Sequence, residues 1–446
     1  MTADRPVSVV VASAAYAGTL AAVRDLGARG FEVVVLSGPR LSCAWSPRVS
    51  AAAWSRYASR TYRAPQERDN EHFVAELLRI GAKNPGQVLL PTSDETAWMY
   101  TVHAAELGRY FRLLEPPLAA MQKILDKQQF ASAAIAAGVR VVPSWEVHSL
   151  AELAEKANQL PYPLLIKPRT HVNRIRNDKG VLVNCASELL AEYPRFLERE
   201  QGATDNNPLL PDAPVPILQQ FVRVSVEGVC SVTGYIDRSG ELFVTRRSTK
   251  VLQRSMPAGV GICFESLPPD AALSDAVRRL CRELGYFGIF EVEFVYCDGD
   301  WAVIDFNPRT FNQIGMDIRR GMPLPFFACL EAVGDRDALR AAIRAAQDPR
   351  ADDTGTVFCD HFTLHALLLA RALTCRNSRG EISRWRDWLR AHAGNCVDVA
   401  AAVGDPLPKF VHVVSEILVG LRGFRRFLRL TPRTDRAGAV AISSHT

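Results

Sequence analysis

The chain has 446 residues, of which 48% are hydrophobic and 23% charged, and its formal net charge is +5. This composition excludes a largely disordered chain and leaves room for two or three folded domains. The net charge is small for the length, so no nucleic-acid partner is predicted. The sequence lacks an uncharged apolar run long enough for a transmembrane segment, and its first residues lack the pattern of a secretory signal. We therefore expect a cytoplasmic protein.

The ten cysteines occur singly, without a C-x-x-C pair or a histidine at zinc-finger spacing. This pattern predicts buried free thiols in a reducing compartment. His361 and His365 are one helical turn apart and could pair as metal ligands. No third ligand accompanies them, so ordinary packing is the favoured interpretation.

The N-terminal segment alternates between apolar strands and an amphipathic helix. Residues 8–13 and 32–36 are rich in valine and flank a helix predicted at 18–29. Strands of this kind are buried on both faces, which indicates a parallel, Rossmann-like sheet. A further buried strand at 87–91 ends in the polar residues 92–95, where open α/β sheets bind ligands. These residues are either a substrate-side wall or the N-cap of the next helix, and both interpretations remain open.

The middle of the chain predicts a mixed α+β domain. Helices are expected at 116–137 and 150–159, an extended piece at 139–145, a short strand at 164–166, a strand at 217–222, and two hairpins at 229–245 and 290–306. Beyond residue 334 the segments become helical, at 336–347, 361–373, 380–392 and 408–430. We therefore predict an N-terminal domain over 1–115, a central domain over 116–330, and a helical C-terminal extension over 331–446 that ends in a flexible tail from 431.

The second hairpin carries the strongest chemical pattern. Asp305 and Asn307 are two residues apart, so their side chains project from the same face of one strand, and the turn returns that strand beside Glu293. Two carboxylates and a carboxamide are ligands that Mg²⁺ prefers, with the phosphates of a nucleotide completing its coordination. The alternative is that the acids form a solvated face of a surface hairpin. The apolar neighbours on both strands favour the metal site, because acids lying against a core need a partner.

Two lysines are candidate phosphate ligands. Lys167 follows the short apolar strand at 164–166, where its ammonium could reach a cleft and neutralise a phosphate. Lys127 begins a predicted helix, whose N-terminus also favours anions. Taken singly, each is better explained as a solvated surface lysine.

The order of these motifs resembles the ATP-grasp superfamily over roughly residues 7–330. The likeness lies in Leu125-Asp-Lys127, Pro163-Leu-Leu-Ile-Lys-Pro168, Ile217-Leu-Gln-Gln-Phe-Val222 and the acid hairpin ending in Asn307-Pro-Arg309. The resemblance implies an ATP-grasp fold, of class α/β and α+β, behind a Rossmann-like N-terminal domain. It assigns ATP contacts to Lys127, Lys167, Gln219, Gln220, Phe221, Val222 and Glu227, magnesium ligation to Glu293, Asp305 and Asn307, and catalytic roles to Arg309 and Lys167.

Within that superfamily the chain is similar to carboxylate-amine ligases of the D-aspartate ligase-like and carbamoyl-phosphate-synthase-like kind. The resemblance implies ATP and Mg²⁺, with Mn²⁺ as an alternative metal, and small-molecule carboxylate and amine substrates joined through an acyl phosphate. One departure concerns the loop at 170–180, which holds one glycine where the family carries several. Either phosphate contacts there come from Arg174, Arg176 or Lys179, or the loop serves another role. The alternatives are a regulatory ATP-binding protein and a kinase-like or carboxylating enzyme. A homodimer is left open.

Two basic segments have open interpretations. Arg246, Arg247, Lys250 and Arg254 predict a cationic loop near the cleft, which either positions a substrate carboxylate or is simply solvated. The last helix, at 410–430, is apolar at its start and basic with aromatics at its end. A helix docked on its own domain or on a partner subunit is favoured over one lying on a membrane surface.

Overall fold

The computed structural model describes residues 6–12, 16–38, 50–67, 69–172, 174, 180–201, 209–223, 228–254, 260–352, 354–373 and 379–430. The predictions made for Glu227, Arg176, Lys179 and the tail from residue 431 lie outside these residues. Within them, no helix is long and apolar enough to cross a membrane.

The N-terminal region is a five-stranded parallel sheet, as the valine-rich runs predicted. Its strands are β1 (Ser8–Val11), β2 (Glu32–Ser37), β3 (Arg60–Arg63), β4 (Gln87–Leu90) and β5 (Phe111–Leu113), in the order β3-β2-β1-β4-β5. The helices are α1 (Ala17–Ala28), α2 (Asn70–Lys83), α3 (Asp94–Val102) and α4 (Ala104–Leu107). The valines of β1 are fully buried because helices cover both faces of the sheet.

A small antiparallel sheet follows helices α5 (Leu118–Leu125) and α6 (Lys127–Ala136). It has the order β6-β9-β7-β8, from β6 (Ser144–Trp145), β7 (Leu164–Lys167), β8 (Val181–Val183) and β9 (Ile217–Gln220). Helices α7 (Leu150–Lys156) and α8 (Ala186–Gln201) pack on it and bury an apolar cluster that includes Leu164, Ile166 and Tyr193. The sheet therefore has a core of its own.

The largest sheet has seven strands and contains both predicted hairpins. Its order is β14-β13-β10-β11-β12-β15-β16, from β10 (Val229–Ile236), β11 (Phe243–Arg254), β12 (Val260–Leu267), β13 (Gly288–Cys297), β14 (Asp300–Asn307), β15 (Val357–Cys359) and β16 (Cys396–Asp398). Its helices are α9 (Ala271–Leu284), α10 (Ile314–Arg319), α11 (Leu324–Val333) and α12 (Arg336–Gln347). The predicted cationic loop is wrong for Arg246, Arg247 and Lys250, which lie within the twelve-residue strand β11.

The C-terminal region contains the predicted helices and two strands that were not predicted. Helices α13 (His361–Leu373), α14 (Arg379–Ala391) and α15 (Leu407–Leu430) follow α12, while β15 and β16 extend the seven-stranded sheet. Asp405 ties this region to the N-terminal domain by accepting hydrogen bonds from Arg24 Nε at 2.8 Å and Ser55 Oγ at 2.7 Å. The domain boundaries at 115 and 330 stay predictions.

The thiols are less uniformly buried than predicted. Cys185 is exposed, and Cys297 and Cys396 are half-buried. His361 and His365 do not face a common metal: His361 Nδ1 lies 2.6 Å from an Asp398 carboxylate oxygen, and His365 Nδ1 lies 2.6 Å from the His361 carbonyl. Both histidines are accounted for by these packing contacts.

Helix α1 approaches the segment after β14 very closely. A Cβ atom added at Gly18 would lie 2.4 Å from the Phe311 carbonyl oxygen, a separation that side chains do not tolerate. Glycine at this position thus lets the helix touch the backbone that follows Arg309.

The first testable prediction concerns a buried acid beside β5. Glu115 accepts a hydrogen bond from Thr101 Oγ1 at 3.0 Å, while its other oxygen is buried without a hydrogen-bond partner in the described residues. Burial raises the pKa of Glu115 from 4.5 to about 8, so the folded protein holds this proton at pH values where the unfolded chain has lost it. Protonated Glu115 therefore makes its full contribution to the free energy of unfolding below pH 4.5. That contribution is lost as pH rises towards 8, by at most about 1.4 kcal/mol per pH unit.

Glu115→Gln should therefore lose less thermal stability than the wild type as pH is raised through this interval. The measurement is the thermal unfolding midpoint as a function of pH, with the exposed Glu283→Gln as control. Parallel pH profiles for the wild type and Glu115→Gln would contradict the assignment.

Candidate active site

A cavity of about 780 Å³ is lined by the N-terminal sheet, the small sheet and the seven-stranded sheet. The residues to which the resemblance assigned ATP, magnesium or catalytic roles all line it, as far as the structure describes them: Lys127, Lys167, Gln219, Gln220, Phe221, Val222, Glu293, Asp305, Asn307 and Arg309. These residues span about 180 positions of sequence, so the fold brings them together. Their roles remain predictions.

The register of β13 and β14 sets the acids side by side. Glu293 pairs with Asp305, and Glu291 pairs with Asn307. Lys250 Nζ donates to Glu293 Oε1 at 2.8 Å, and Lys127 Nζ donates to Asp305 Oδ1 at 2.9 Å. The side chains of Glu293 and Asp305 are only 18% and 20% exposed, so a solvated surface hairpin is excluded.

Lys127 and Lys167 reach the cavity from different elements. Helix α6 begins at Lys127 because the Asp126 side chain caps it, accepting from the Gln128 and Gln129 amides at 2.9 and 3.1 Å. Lys167 ends strand β7, and its ammonium donates to Gln219 Oε1 at 3.0 Å. The side chain of Lys127 is 10% exposed, which is far from a solvated surface lysine.

Arg169 joins the two lysine-bearing elements. Its Nε donates to Asp126 Oδ2 at 2.8 Å, and its Nη1 lies 2.6 Å from a Glu146 carboxylate oxygen. Its carbonyl accepts from the Lys127 amide at 3.0 Å. The guanidinium is 8% exposed, so the start of α6 is fixed by a buried charge network.

A buried glutamate of the cavity, Glu291, was not selected from the sequence. Glu291 accepts from Ser231 Oγ at 3.0 Å and from Asn307 Nδ2 at 3.0 Å, and it is hydrogen-bonded to Gln313. Burial, with the charge of Glu293, raises the pKa of Glu291 to about 7. The sequence did contain a signal for Glu291: it lies two residues from Glu293, so both glutamates project from the same face of strand β13. Lys250, named from the sequence as part of a cationic segment near the cleft, also lines this cavity: burial acts to lower its pKa, but the nearby carboxylates, Glu293 foremost, together outweigh this and leave the pKa raised.

Arg309 links the hairpin to the N-terminal domain. Its Nε donates to Asp94 Oδ1 at 2.9 Å, and its Nη2 donates to Asn307 Oδ1 at 3.0 Å. Burial acts to lower the pKa of Arg309, but the Asp94 carboxylate outweighs it and raises that pKa.

Ser93 caps helix α3 by accepting from the Thr96 amide, and residues 92–95 also line the cavity. The N-cap interpretation of the polar residues after β4 is thus confirmed, and their role as a substrate-side wall stays a prediction.

The glycine-poor loop is described at its two ends. Arg174 forms a bidentate pair with Glu200 at 2.7 and 2.8 Å, and both side chains are 1% exposed. The Arg174 guanidinium is therefore already paired with Glu200 and is not available to bind a phosphate. Gly180 has φ +124°, and a Cβ there would lie 2.3 Å from the Ile166 carbonyl oxygen, so only glycine fits at this position.

The predicted magnesium ligands do not form a complete protein cage. In the part of the chain that the structure describes, no group of three or more His, Cys, Asp or Glu side chains is arranged to hold a metal ion. Glu293 and Asp305 instead hold lysine ammonium groups, and Asn307 supplies a carboxamide beside them. Since Mg²⁺ commonly takes one or two carboxylates and completes its coordination with phosphates and water, this donor set fits the ion in the presence of a nucleotide.

Solved structures that superpose on this chain identify the fold. An L-amino acid ligase from Bacillus licheniformis superposes with a TM-score of 0.54 at 15% identity, over 74% of this chain and 75% of that one. The biotin carboxylase domain of Hydrogenobacter thermophilus 2-oxoglutarate carboxylase gives a TM-score of 0.58 at 16% identity, over 73% and 69%. N5-carboxyaminoimidazole synthetase from Staphylococcus aureus, complexed with ADP, gives 0.54 at 16%, over 74% and 77%. The chain has the ATP-grasp fold, as the order of its motifs predicted.

Sequence relatives agree with this fold. The carbamoyl phosphate synthase large chain of Myxococcus xanthus is 25% identical over 207 residues, which cover 44% of this chain and 17% of the relative. That of Methanoregula boonei is 19% identical over 275 residues, covering 60% and 24%. The chain thus matches less than a quarter of the length of these two relatives, and no family model matches it. The chain thus has the ATP-grasp fold and is similar in sequence to part of the carbamoyl phosphate synthase large chain.

The second testable prediction concerns the Arg169 network. Arg169→Met keeps an apolar stem but leaves Asp126 and Glu146 without their partner, and breaking a buried ion pair in this way costs about 3–5 kcal/mol. The thermal unfolding midpoint should fall by several degrees. Arg195→Met is the matched control, because it removes an exposed pair with Glu192 worth less than about 1 kcal/mol. Equal midpoints for the two variants would show that the network does not stabilise the fold.

Proposed function

We propose that the protein binds Mg-ATP in this cavity and uses it to activate a carboxylate as an acyl phosphate, which an amine then attacks to form a carbon–nitrogen bond. The products are the amide, ADP and phosphate. The observation that carries the proposal is the pair of contacts Lys127–Asp305 and Lys250–Glu293, which set two cations and two carboxylates against each other in one cavity.

The residues present fit a nucleotide and its metal. The cavity, at about 780 Å³, has the size of a cofactor site. Lysine ammonium groups can turn from carboxylates to phosphates, and the carboxylates they release are free for the metal. A site of this kind needs no protein nucleophile, since phosphoryl transfer depends on positioning and charge neutralisation. ATP supplies the phosphoryl group.

The chain's residues would act as follows. Lys127 and Lys167 neutralise phosphate oxygens, while Glu293, Asp305 and Asn307 hold Mg²⁺ against the phosphates. Arg309, which points between the hairpin and the N-terminal domain, stabilises the negative charge that develops on the activated carboxylate. Its contact with Asp94 fixes the guanidinium before substrate binds.

The adenine end of the site would be built by strand β9 and the residues after it. The Gln220 amide donates to the Pro143 carbonyl, and the Phe221 amide donates to the Pro163 carbonyl, both at 2.9 Å. These two amides are therefore occupied within the fold. Adenine contacts in this proposal come from the carbonyl oxygens of residues 219–222 and the Val222 amide, and ribose contacts from Glu227.

A regulatory ATP-binding protein is the second candidate. The Arg174–Glu200 pair favours it, because the glycine-poor loop then offers one phosphate-binding group fewer. A carboxylating enzyme is a further alternative, in which the activated carboxylate is bicarbonate. The two lysine–carboxylate pairs favour catalysis over regulation.

Asp305→Ala should abolish Mg-ATP-dependent ADP release, because it removes a metal ligand and leaves Lys127 unpaired. The measurement is ADP and phosphate formation with pairs of acids and amines. Asp300→Ala is the matched control, since Asp300 lies on the same strand but is exposed at the hairpin turn. An active Asp305→Ala enzyme would refute the metal assignment.

The products distinguish the candidates. ADP formed only when an acid and an amine are both present supports the ligase. AMP and pyrophosphate would refute the acyl-phosphate route, and tight ATP binding without turnover would favour the regulatory protein.

A further inference from the structure

Three cysteines from neighbouring strands of the seven-stranded sheet lie around one apolar cluster. Cys263 on β12 and Cys359 on β15 are directly opposite each other, and their sulfur atoms are 3.6 Å apart. Cys396 on β16 packs against the same cluster. None of these three thiols lines the cavity, so the active site does not account for them.

The Cys263–Cys359 pair has the geometry that a disulfide needs. The Asp360 amide donates to the Ile262 carbonyl at 2.9 Å, so the two cysteines form a non-hydrogen-bonded pair of the antiparallel ladder. In such pairs the Cα atoms are about 4.5 Å apart and the side chains are closest to each other. This separation lies within the range of roughly 4.4–6.8 Å that disulfides span. Both side chains are fully buried, however, so an oxidant must first meet a more exposed neighbour.

Cys396 is that neighbour, and it lies beside a histidine held by a carboxylate. Its sulfur is 3.8 Å from His361 Nε2, and His361 Nδ1 is 2.6 Å from an Asp398 oxygen. The hydrogen bond to Asp398, followed by that to Cys396, raises the pKa of His361 to about 10, so the imidazole is protonated at neutral pH. An imidazolium beside a cysteine stabilises the thiolate. Cys396 is half-buried and the His361 side chain is 32% exposed, which gives a small molecule access.

Two other effects keep the cluster reduced at rest. Hydrogen bonding to Cys359 and burial raise the pKa of Cys396, and His361 acts against them. The thiols are therefore mainly neutral and persist under reducing conditions. Because peroxides react with the thiolate, the imidazolium and the exposure select Cys396 as the thiol that reacts first. Among the described residues, no three of these side chains are arranged to hold a metal ion, which leaves thiol–disulfide chemistry as what the cluster can do.

We infer that these cysteines form a thiol relay, in which hydrogen peroxide oxidises Cys396 and the oxidation passes inward to a buried Cys263–Cys359 disulfide. The Cys396 thiolate attacks one peroxide oxygen and breaks the O–O bond, giving a sulfenic acid and a hydroxide that takes up the thiol proton. The Cys359 sulfur then displaces the sulfenic oxygen as water and forms a Cys359–Cys396 disulfide. Attack of Cys263 on the Cys359 sulfur returns Cys396 to a thiol. Two thiols thus lose two hydrogens, and one peroxide becomes two waters.

The test uses the full-length protein, reduced, freed of reductant and treated with equimolar hydrogen peroxide. Free thiols are alkylated, and the peptides are mapped by mass spectrometry without reduction. The wild type should yield a Cys263–Cys359 cross-linked peptide and Cys396 as an alkylated thiol. This map needs no variant, so it decides the inference even where a buried substitution unfolds the protein.

Three variants separate the steps of the relay. Cys359→Ser should form no disulfide in the cluster and should accumulate a sulfenic acid at Cys396, which dimedone captures. Cys263→Ser should stop at the Cys359–Cys396 disulfide. Cys396→Ser should form the Cys263–Cys359 disulfide several-fold more slowly than the wild type.

The role of the imidazolium is tested in the Cys359→Ser protein. Adding His361→Gln should slow dimedone capture at Cys396 several-fold. Adding His365→Gln instead is the matched control, because His365 is exposed one turn further along the same helix and should leave the capture rate unchanged.

Cys185→Ser is the control for a thiol outside the cluster. Cys185 is exposed and contacts Ser187, and its loss should change neither the cross-link nor the rate at which it forms. Three results would overturn the inference: oxidation of the cluster only to sulfinic or sulfonic acids, a disulfide that joins these thiols to some other cysteine, or equal rates in Cys396→Ser and the wild type. The proposed function is unaffected by any of them.

Discussion

The site depends on the pairing of opposite charges that are removed from bulk water. Asp305 and Glu293 of the β13–β14 hairpin each accept from an ammonium group supplied by a distant element, Lys127 from α6 and Lys250 from β11. Neither partner could be buried alone without a large desolvation penalty, so the pairs constrain how the elements meet. These are also interactions that a more highly charged ligand can exchange. The paired charges therefore stabilise the site before a ligand binds, and the same pairs can separate when a ligand arrives.

The sequence predicted the site residues whose positions follow from the alternation of side chains along a strand. Glu293, Asp305 and Asn307 were found because alternation along two strands joined by a tight turn fixes which side chains share a face. The same alternation indicates Glu291, but nothing in a single sequence says that its carboxyl group would meet Ser231, Asn307 and Gln313. Lys127 and Lys167 needed the family's order of motifs, because a lysine beside a strand or helix end is most often solvated.

The contacts that were missed are long-range or lie in elements with weak patterns. Strand β11 carries three arginines, a lysine and a glutamine, a composition that resembles a polar loop. Its pairing with β10 on one side and β12 on the other is what makes it a strand. Strands β15 and β16 have three residues each, too few to show a period against the helices around them. The ion pair between Asp126 and Arg169 joins residues 43 positions apart, and such partners are visible only once the chain has folded.

The close contact at Gly18 restricts how the elements around the cavity can move. Its contact with the Phe311 carbonyl leaves no gap between α1 and the segment after β14, and Asp405 binds Arg24 and Ser55 from the C-terminal side. Residues 92–95, which follow β4, and the β13–β14 hairpin with Asp305 are thereby held in a fixed relative position. The small sheet that carries Lys167 has a separate apolar core around Leu164, Ile166 and Tyr193. Entry to the cavity would thus be widened most easily by tilting that sheet, which would move Lys167 while Asp305 and Arg309 stay in place.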